Sequence, residues 1–362
     1  MHYYFRNTYV SFSAHLIRAM KPKREITIYD IASELNVSPS TVSRALKDHY
    51  SIGKEMIETV KKVARERGYR PNHIAASLRK NKTNTIGVMI SWINRPFMSS
   101  LISGIEEEVS KAGCNVIISQ SHDSYENEIA NTKALYNSRI GGLIVSLAME
   151  TKKYNHFNTF AESDIPVVFV DRVCEELNSD KVVIDNYAAG FMATNHLIEQ
   201  GCKRIAHFGG AQHRSIYRHR EEGYLAALRQ HNMEIDESLI LNGDVLNSEE
   251  GYRMADQLLS LPNPPDAIFS ANDTSAVSAI QCAKNRGIKI PQKLAVMGFN
   301  NDPVSLIIDP TLSTVSHPAV DMGKIAARQV LKHREHKDII TSETITLKTN
   351  LIIRESTLRK KK

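Results

Sequence analysis

Polar and aromatic side chains follow directly after several short apolar runs in the C-terminal three quarters of this 362-residue chain. If the runs are parallel strands, their carboxyl ends meet at one edge of a sheet, where α/β proteins bind small ligands. Carboxylates, amides and aromatic rings suit a hydroxyl-rich ligand, although Asn and Asp also cap and turn the chain at strand ends. The positions concerned are Trp92 to Phe97, His122 and Asp123, Asp171 and Arg172, Asp185, Asn272 and Asp273, and Phe299 to Asn301.

Motifs for catalysis or metal binding are missing from the sequence. We find no GxSxG, GxxxxGK[ST] or HExxH motif, and no GxGxxG that opens a helix. The four cysteines form no CxxC pair, and the fourteen histidines have no metal-ligand spacing. We therefore expect neither an enzyme nor a bound metal or cofactor.

The second chemical signal is a concentration of positive charge near the N-terminus. The first 82 residues contain 16 Lys and Arg against 7 Asp and Glu, whereas the remaining 280 contain 30 basic and 33 acidic residues. A basic segment attached to a slightly acidic remainder indicates a partner with phosphate groups. Thr41, Ser43 and Arg44 lie on the outward side of a predicted helix in this segment, where hydroxyls can reach phosphates and arginine can reach base edges.

The elements that would position these side chains are three short helices. Thr27 is a plausible N-cap of the first, Asn36 can adopt the left-handed conformation of a tight turn, and Ser38 followed by Pro39 can start the second. Two short helices joined by such a turn form a helix-turn-helix. The second helix is predicted from Ser40 to about Lys47 and the third from about Lys54 to Arg67, ending at Gly68.

The N-terminal pattern resembles a known family. The run ITIYDIASELNVSPSTVSRAL, followed by RERGYRPNHIAASLR, is similar to the N-terminus of LacI/GalR-type transcriptional regulators. The resemblance implies that the second run contains a hinge helix that folds when two copies meet on operator DNA and that inserts Leu78 into the minor groove. Independently, Asn72 can cap a helix of two turns, which is marginal in water without a partner.

The candidate DNA contacts combine both arguments. Pro39, Ser40 and Arg44 are expected at base edges, and Thr27, Thr41, Ser43 and Asn72 at phosphates. The full set is Thr27, Tyr29, Ser38, Pro39, Ser40, Thr41, Ser43, Arg44, Asn72, His73, Ala75 and Leu78.

From residue 84 onward, short apolar runs alternate with helical stretches, which predicts parallel sheets covered on both faces. The resemblance implies a two-lobed core of the periplasmic-binding-protein type I kind with a ligand cleft between the lobes. Arg220 matches the family arginine that clamps the effector, and Asn272 and Asn300 match two other cleft positions, although the family usually has aspartate where this chain has Asn300. The candidate ligand contacts are Trp92, Phe97, Asp123, Asp171, Arg172, Asp185, Arg220, Asn272, Asn300 and His317.

The predicted fold is therefore α/β with a small helical head. The proposed divisions are an extension at 1–25, a helix-turn-helix domain at 26–70, a hinge and linker at 71–83, a core at 84–356 and a basic tail at 357–362. Lobe 1 is predicted at about 84–185 and 299–317, and lobe 2 at about 186–298 and 318–356.

These features predict a cytoplasmic, homodimeric transcriptional regulator, most simply a repressor. It would bind double-stranded, pseudo-palindromic operator DNA under the control of a small polar effector, a sugar or a sugar derivative. No apolar run is long enough for a membrane helix, and no secretory signal is recognisable. The alternative is a periplasmic-type sugar receptor without a DNA role.

Overall fold

A computed structural model describes residues 26–69, 83–335 and 341–359, and the chain divides into two units, Met1–Lys80 and Asn81–Lys362. The predicted fold class is confirmed, with a helical N-terminal unit and two sheets in the larger unit. The described helices of the N-terminal unit, called the head, are α1 (Ile28–Glu34), α2 (Pro39–Ala45) and α3 (Lys54–Glu66).

Local sequence signals determine the helix-turn-helix of the head. Thr27 and Asp30 form a capping box, in which the Thr27 N–H donates to Oδ2 of Asp30 at 2.8 Å. Asn36 has a φ of 52°, which gives the left-handed turn between α1 and α2. The Ser38 hydroxyl accepts the Thr41 N–H at 3.1 Å and caps α2, with Pro39 in the first helical position.

A small apolar core holds the three helices together. One buried cluster includes side chains from each helix, which are Ile31, Ala32, Val42, Ala45, Val60 and Ala64. The turn after α3 contains Gly68 at a φ of 67°. The head therefore has its own core, and α2 is fixed on it by Val42 and Ala45.

The larger unit contains two six-stranded sheets. Its strands are β1 (Thr85–Ile90), β2 (Asn115–Gln120), β3 (Leu143–Val145), β4 (Val167–Val170), β5 (Asp180–Ile184), β6 (Ile205–Gly209), β7 (Ile240–Asn242), β8 (Ala267–Ser270), β9 (Ala295–Asn300), β10 (Ser313–Ser316), β11 (Thr344–Leu347) and β12 (Leu351–Ile352). Its described helices are α4 (Pro96–Lys111), α5 (Tyr125–Asn137), α6 (Asn158–Glu162), α7 (Asn186–Glu199), α8 (Ser215–Gln230), α9 (Ser248–Leu259), α10 (Asp273–Asn285), α11 (Val304–Ile307) and α12 (Ala319–Glu335).

Each sheet defines one lobe. The lobe 1 sheet has the order β11-β5-β4-β3-β1-β2, and all of its pairs are parallel. The lobe 2 sheet has the order β12-β10-β9-β8-β6-β7, and only the short β12 pairs antiparallel. The central strands are buried, as expected for sheets covered by helices on both faces.

The sequence prediction placed most of the two C-terminal segments in the wrong lobe. Residues 299–317 were expected in lobe 1, but the end of β9 and all of β10 belong to the lobe 2 sheet. Residues 318–356 were expected in lobe 2, but α12 packs on α4 and β11 extends the lobe 1 sheet, and only the end of the segment, with β12, joins lobe 2 as predicted. The chain thus crosses between the lobes three times, after β5, β10 and β11. The prediction failed here because the sheet that each segment joins is decided by tertiary packing, which no local sequence pattern encodes.

Close packing joins α7 to α8, the helix that carries Arg220. A Cβ atom on Gly190 of α7 would lie 2.2 Å from the Arg220 carbonyl oxygen, and one on Gly223 of α8 would lie 2.2 Å from the Tyr187 carbonyl oxygen. Only glycine permits this approach, so α7 and α8 are in backbone contact beside Arg220. Within the described residues, no helix is long and apolar enough to span a membrane.

Candidate functional site

The exposed face of α2 carries the hydroxyls and the arginine predicted for it. Val42 and Ala45 point into the head core, whereas Ser40 and Arg44 are exposed. The Ser38 hydroxyl is 2.7 Å from that of Ser40 and 2.8 Å from that of Thr41, so three hydroxyls are grouped at the start of the helix. Thr41 and Ser43 are half-buried, and Tyr29 of α1 is exposed.

The positive charge of the head is only partly neutralised. Arg67 forms an ion pair with Glu34 at 2.9 Å, and Lys61 forms one with Asp48 at 2.5 Å. Arg44, in contrast, forms no ion pair with any residue in the described ranges. Its guanidinium group is therefore available to a partner, as base recognition requires. The predicted hinge contacts Asn72, His73, Ala75 and Leu78 lie outside the described residues.

A cavity of about 120 Å³ lies between the lobes at the carboxyl ends of their strands. Nine of the ten predicted ligand contacts line it, and seven of them are strand-end positions, so residues far apart in sequence meet at one site. The nine are Trp92, Phe97, Asp123, Asp171, Arg172, Arg220, Asn272, Asn300 and His317.

Asp185 is the exception, and its prediction as a cavity residue is wrong. Its side chain is exposed at the first crossing between the lobes, and Oδ1 accepts the Ala188 N–H at 2.8 Å. The carboxylate therefore caps α7, which is the structural role that Asp commonly has after a strand.

Arg220 is held rigidly in the wall of the cavity. Its Nε donates to Oδ1 of Asn186 and its Nη1 to the carbonyl oxygen of Ala271, both at 2.8 Å. The guanidinium carbon lies 3.6 Å from the centre of the Phe299 ring, within cation–π range. Burial lowers the pKa of Arg220 to about 10, although Asp171 acts in the opposite direction. Arg220 therefore remains charged at neutral pH, but its burial has an energetic cost.

Asp171 and His317 present polar atoms that no other described residue satisfies. Among the described residues, none donates a hydrogen bond to the Asp171 carboxylate, and Nε2 of His317 lies 3.6 Å from Oδ1. Burial raises the pKa of Asp171, while Arg172 and Arg220 oppose the rise. Burial, and then Arg220, lower the pKa of His317, so its imidazole is neutral. Its Nε2 is buried and has no hydrogen-bond partner within the described chain.

Trp92, Asp123 and Arg172 form a second polar group on the lobe 1 wall. Nη1 of Arg172 is 2.5 Å from Oδ1 of Asp123, and Nε1 of Trp92 donates to Oδ2 at 3.2 Å. Burial acts to lower the pKa of Arg172, but the charges of Asp123, Tyr217 and Asp171 together outweigh burial and the pKa is raised. The Nε of Arg172 is buried without a partner in the described part of the chain, so this wall has a donor to offer.

Asn272 and Asn300 have different roles. The Asn272 side chain caps α10 by accepting the Ser275 N–H at 2.8 Å, and its amide donates to the Leu246 carbonyl at 2.8 Å. It therefore contributes mainly shape to the cavity. Asn300, at a φ of 112°, lies at the end of β9 with Oδ1 3.3 Å from Nδ1 of His317. Phe97 stacks on the same imidazole, with the ring centres 4.1 Å apart.

Several lining residues were missed by the sequence reasoning. Ile216 and Tyr217 of α8 follow the end of β6, so the same strand-end rule could have found them. Asp302 lies one residue beyond the predicted stretch after β9, and Asp244 follows the unpredicted β7. Within the described ranges, no group of His, Cys, Asp and Glu could hold a metal ion, and the four cysteines are free and buried.

Comparison with known proteins agrees with both parts of the molecule. Residues 27–72 match the family described as bacterial regulatory proteins, lacI family, and residues 194–357 match a periplasmic binding protein-like domain. The NTD biosynthesis operon regulator NtdR of Bacillus subtilis is 32% identical over 91% of this chain and 99% of its own length. The transcriptional repressor CytR of Escherichia coli K12 is 31% identical over 94% of this chain and 99% of its length.

Solved structures show the same architecture. The transcriptional regulator CelR in complex with cellobiose has a TM-score of 0.70 at 26% identity, and covers 92% of this chain and 100% of its own. A lac repressor dimer bound to operator, at 21% identity, shares the fold with a TM-score of 0.81 over 93% of this chain and 100% of its own. These relatives are regulators, and the match covers nearly the whole of their length. The match therefore excludes the alternative of a receptor without a DNA role, and none of these relatives is named as an enzyme. The chain belongs to the LacI family of DNA-binding transcriptional regulators.

Proposed function

We propose that this regulator is a repressor whose affinity for operator DNA is controlled by a small polar effector, a sugar or a sugar derivative, bound in the cavity between the lobes. The observation that carries the proposal is the set of unsatisfied polar atoms on the cavity walls, namely the Asp171 carboxylate, Nε2 of His317 and Nε of Arg172. Buried polar groups without partners are costly, and a ligand with several hydroxyls satisfies donors and acceptors together.

Relatives give the sugar part of the proposal its support. CelR was solved with cellobiose, and two ribose operon repressors are 30% and 29% identical to this chain over 91% of its length. Asn300 distinguishes this cavity from the usual family pattern, because an amide both donates and accepts and a carboxylate only accepts. We therefore expect the effector to differ in hydroxyl arrangement from those that a carboxylate at this position selects.

For DNA, we propose that α2 enters the major groove. Arg44, Pro39 and Ser40 would face base edges, while the hydroxyls of Thr27, Thr41 and Ser43 would contact phosphates together with Asn72. Tyr29 and Ser38 flank these contacts, and His73, Ala75 and Leu78 of the hinge would occupy the minor groove. The exposure of Arg44 without an ion pair among the described residues supports its assignment to base recognition.

We further propose a homodimer that pairs through the larger units on a pseudo-palindromic site. Uncovered apolar side chains on this unit support it: Ile307 is 83% and Leu306 60% exposed on α11, and Ile117 and Ile118 are each 40% exposed on the edge strand β2. Such surfaces are unusual on a monomer and typical of interfaces. Because operator DNA lies inside the cell, the proposal includes a cytoplasmic location.

A mobility-shift titration with DNA from upstream of the protein's own gene, at several salt concentrations, tests the DNA part. The Arg44→Ala variant should lose about 1–3 kcal/mol of discrimination between the bound site and a scrambled site. Arg65→Ala is the control, because it removes an equal charge from an exposed position on α3. Equal loss on both DNA sequences for Arg44→Ala would remove its base-reading role, and no specific binding in any effector state would refute the proposal.

Trp92 provides the test of the effector part, because it is the only tryptophan of the chain and it lines the cavity. Its fluorescence should change on titration with a binding sugar, and the same sugar should change operator affinity. A panel of sugars, sugar derivatives and nucleobases, screened by thermal shift, would select the ligand for both measurements. If only compounds without hydroxyl groups bound, the sugar assignment would be wrong.

A further inference from the structure

Arg214 connects the two lobes outside the effector cavity. It precedes α8 of lobe 2 and is 4% exposed. Its guanidinium donates to three carbonyl oxygens of lobe 1, those of Ala148, Met149 and Thr151, with Nε at 3.1 Å from the Met149 oxygen. The neighbouring His213 places Nε2 2.7 Å from the same Met149 oxygen.

The loop that receives Arg214 is fixed from within lobe 1. The Glu128 carboxylate of α5 is fully buried, and it accepts the Ala148 N–H at 2.6 Å and the Thr151 hydroxyl at 2.7 Å. Asp123 accepts the Met149 N–H at 3.1 Å. These bonds fix the loop to lobe 1 at Ala148, Met149 and Thr151, the three residues whose carbonyls Arg214 binds.

Opposing effects act on the charge of Arg214. Among the described residues, no carboxylate forms a hydrogen bond with Arg214; three carbonyl oxygens bind the buried cation, and Tyr154 and the charge of Glu128 also favour it. Burial lowers the pKa of Arg214, and the nearby Arg172 lowers it further. When the lobes separate, the guanidinium regains water and loses its three carbonyls. A contact with large opposing terms of this kind suits a reversible closure.

The contact adjoins the effector cavity at both ends. Met149, in the receiving loop, and Ile216, two residues after Arg214, both line that cavity, whereas Arg214 itself does not. We propose that Arg214 is a positioning residue that holds the lobes closed before any effector is present, and so presets the cavity without touching its ligand. The effect on regulation rests on the proposed function, but the closure itself can be measured without an effector.

Accessibility of Trp92 to acrylamide reports the closure, because the indole lies in the cleft. In the effector-free protein, Arg214→Met should raise the Stern–Volmer quenching constant toward that of the urea-unfolded chain. Methionine retains the length of the side chain but cannot bind the carbonyls. Arg218→Met is the matched control, because Arg218 lies one turn further along α8, exposed and 3.8 Å from Glu222, and its quenching should equal that of the wild type.

Arg214→Lys is a second variant that keeps the charge. An ammonium cannot span three carbonyls as the planar guanidinium does, so this variant should show a smaller rise in quenching. If Arg214→Met does not fold, Arg214→Lys still tests whether Arg214 holds the lobes closed. An unchanged quenching constant in every folded Arg214 variant would overturn the proposal, as would an equal rise in Arg218→Met. Failure to find a sugar effector would refute the proposed function and leave this result standing.

Discussion

Replacing Arg220 by methionine should remove effector binding with only a limited loss of stability. The substitution removes the two hydrogen bonds to Asn186 and Ala271, which as bonds from a charged group are worth about 1.5–3 kcal/mol each. In return it relieves the burial of a cation. A guanidinium pKa lowered from 12.5 to about 10 means that the fold disfavours the charged form by about 3 kcal/mol. The expected net decrease in unfolding free energy is therefore about 0–3 kcal/mol.

The effector response should change far more than the stability. A ligand at about 100 times its dissociation constant stabilises the wild type by about 2.7 kcal/mol, and this increment should disappear in the variant. Chemical denaturation followed by Trp92 fluorescence, with and without the ligand, measures both quantities. Effector-free operator binding should remain. Arg253→Met, which removes an exposed arginine paired with Glu250 on α9, is the control and should keep the full ligand response.

Two results would contradict this reasoning. If Arg220→Met were stabilised by the ligand as much as the wild type, Arg220 would not contact it. If operator binding were lost together with the ligand response, the defect would lie in folding, and the limited cost calculated from the two hydrogen bonds and the burial of the charge would be wrong.

Three further predictions follow from other described residues. Burial raises the pKa of Asp273 to about 7, so the unfolded chain releases this proton at a lower pH than the folded protein does. The free energy of unfolding should therefore fall as the pH rises from about 4 to about 7. Asp273→Asn should flatten that decline when denaturation is measured across this pH range. Asn36→Gly should leave the melting temperature of the head nearly unchanged, whereas Asn36→Val should cost about 1–2 kcal/mol because of its left-handed backbone. Ile307→Asp should shift a dimer toward monomer in light scattering, and an unchanged mass would exclude this surface from the interface.

The head was predictable because its signals are local. Thr27, Asn36 and Ser38 each act on backbone groups within four residues, so the caps and the turn could be predicted before any tertiary contact was known. The buried central strands were recognisable for the same reason, as continuous apolar runs. Helix α3 ends one residue earlier than expected, at Glu66, which is ordinary fraying of a helix end.

The rest depended on distant contacts. The strands β5 and β7 were missed because their apolar runs are only three residues long, and β5 begins with the charged Asp180 and Lys181. The lobe to which a C-terminal segment belongs is decided by pairing with strands more than a hundred residues away. Strand ends predicted seven of the nine cavity residues, and the family resemblance predicted Arg220, but the strand-end rule cannot distinguish a ligand contact from a helix cap, and Asp185 was misassigned for that reason. Arg214 gave no local signal, because its partners are carbonyls of another lobe.

The three crossings between the lobes also bear on how the chain folds during synthesis. Lobe 1 begins at β1 but needs α12 and β11, which leave the ribosome only after the sheet of lobe 2 is complete except for β12. Until then the α4 surface that receives α12 is uncovered, including Gly104, against which the Val320 backbone packs. Lobe 1 thus waits for α12 to close its core, and a nascent chain stalled before Ala319 exposes the bare α4 surface and the free β5 edge of the lobe 1 sheet to chaperones or to other chains.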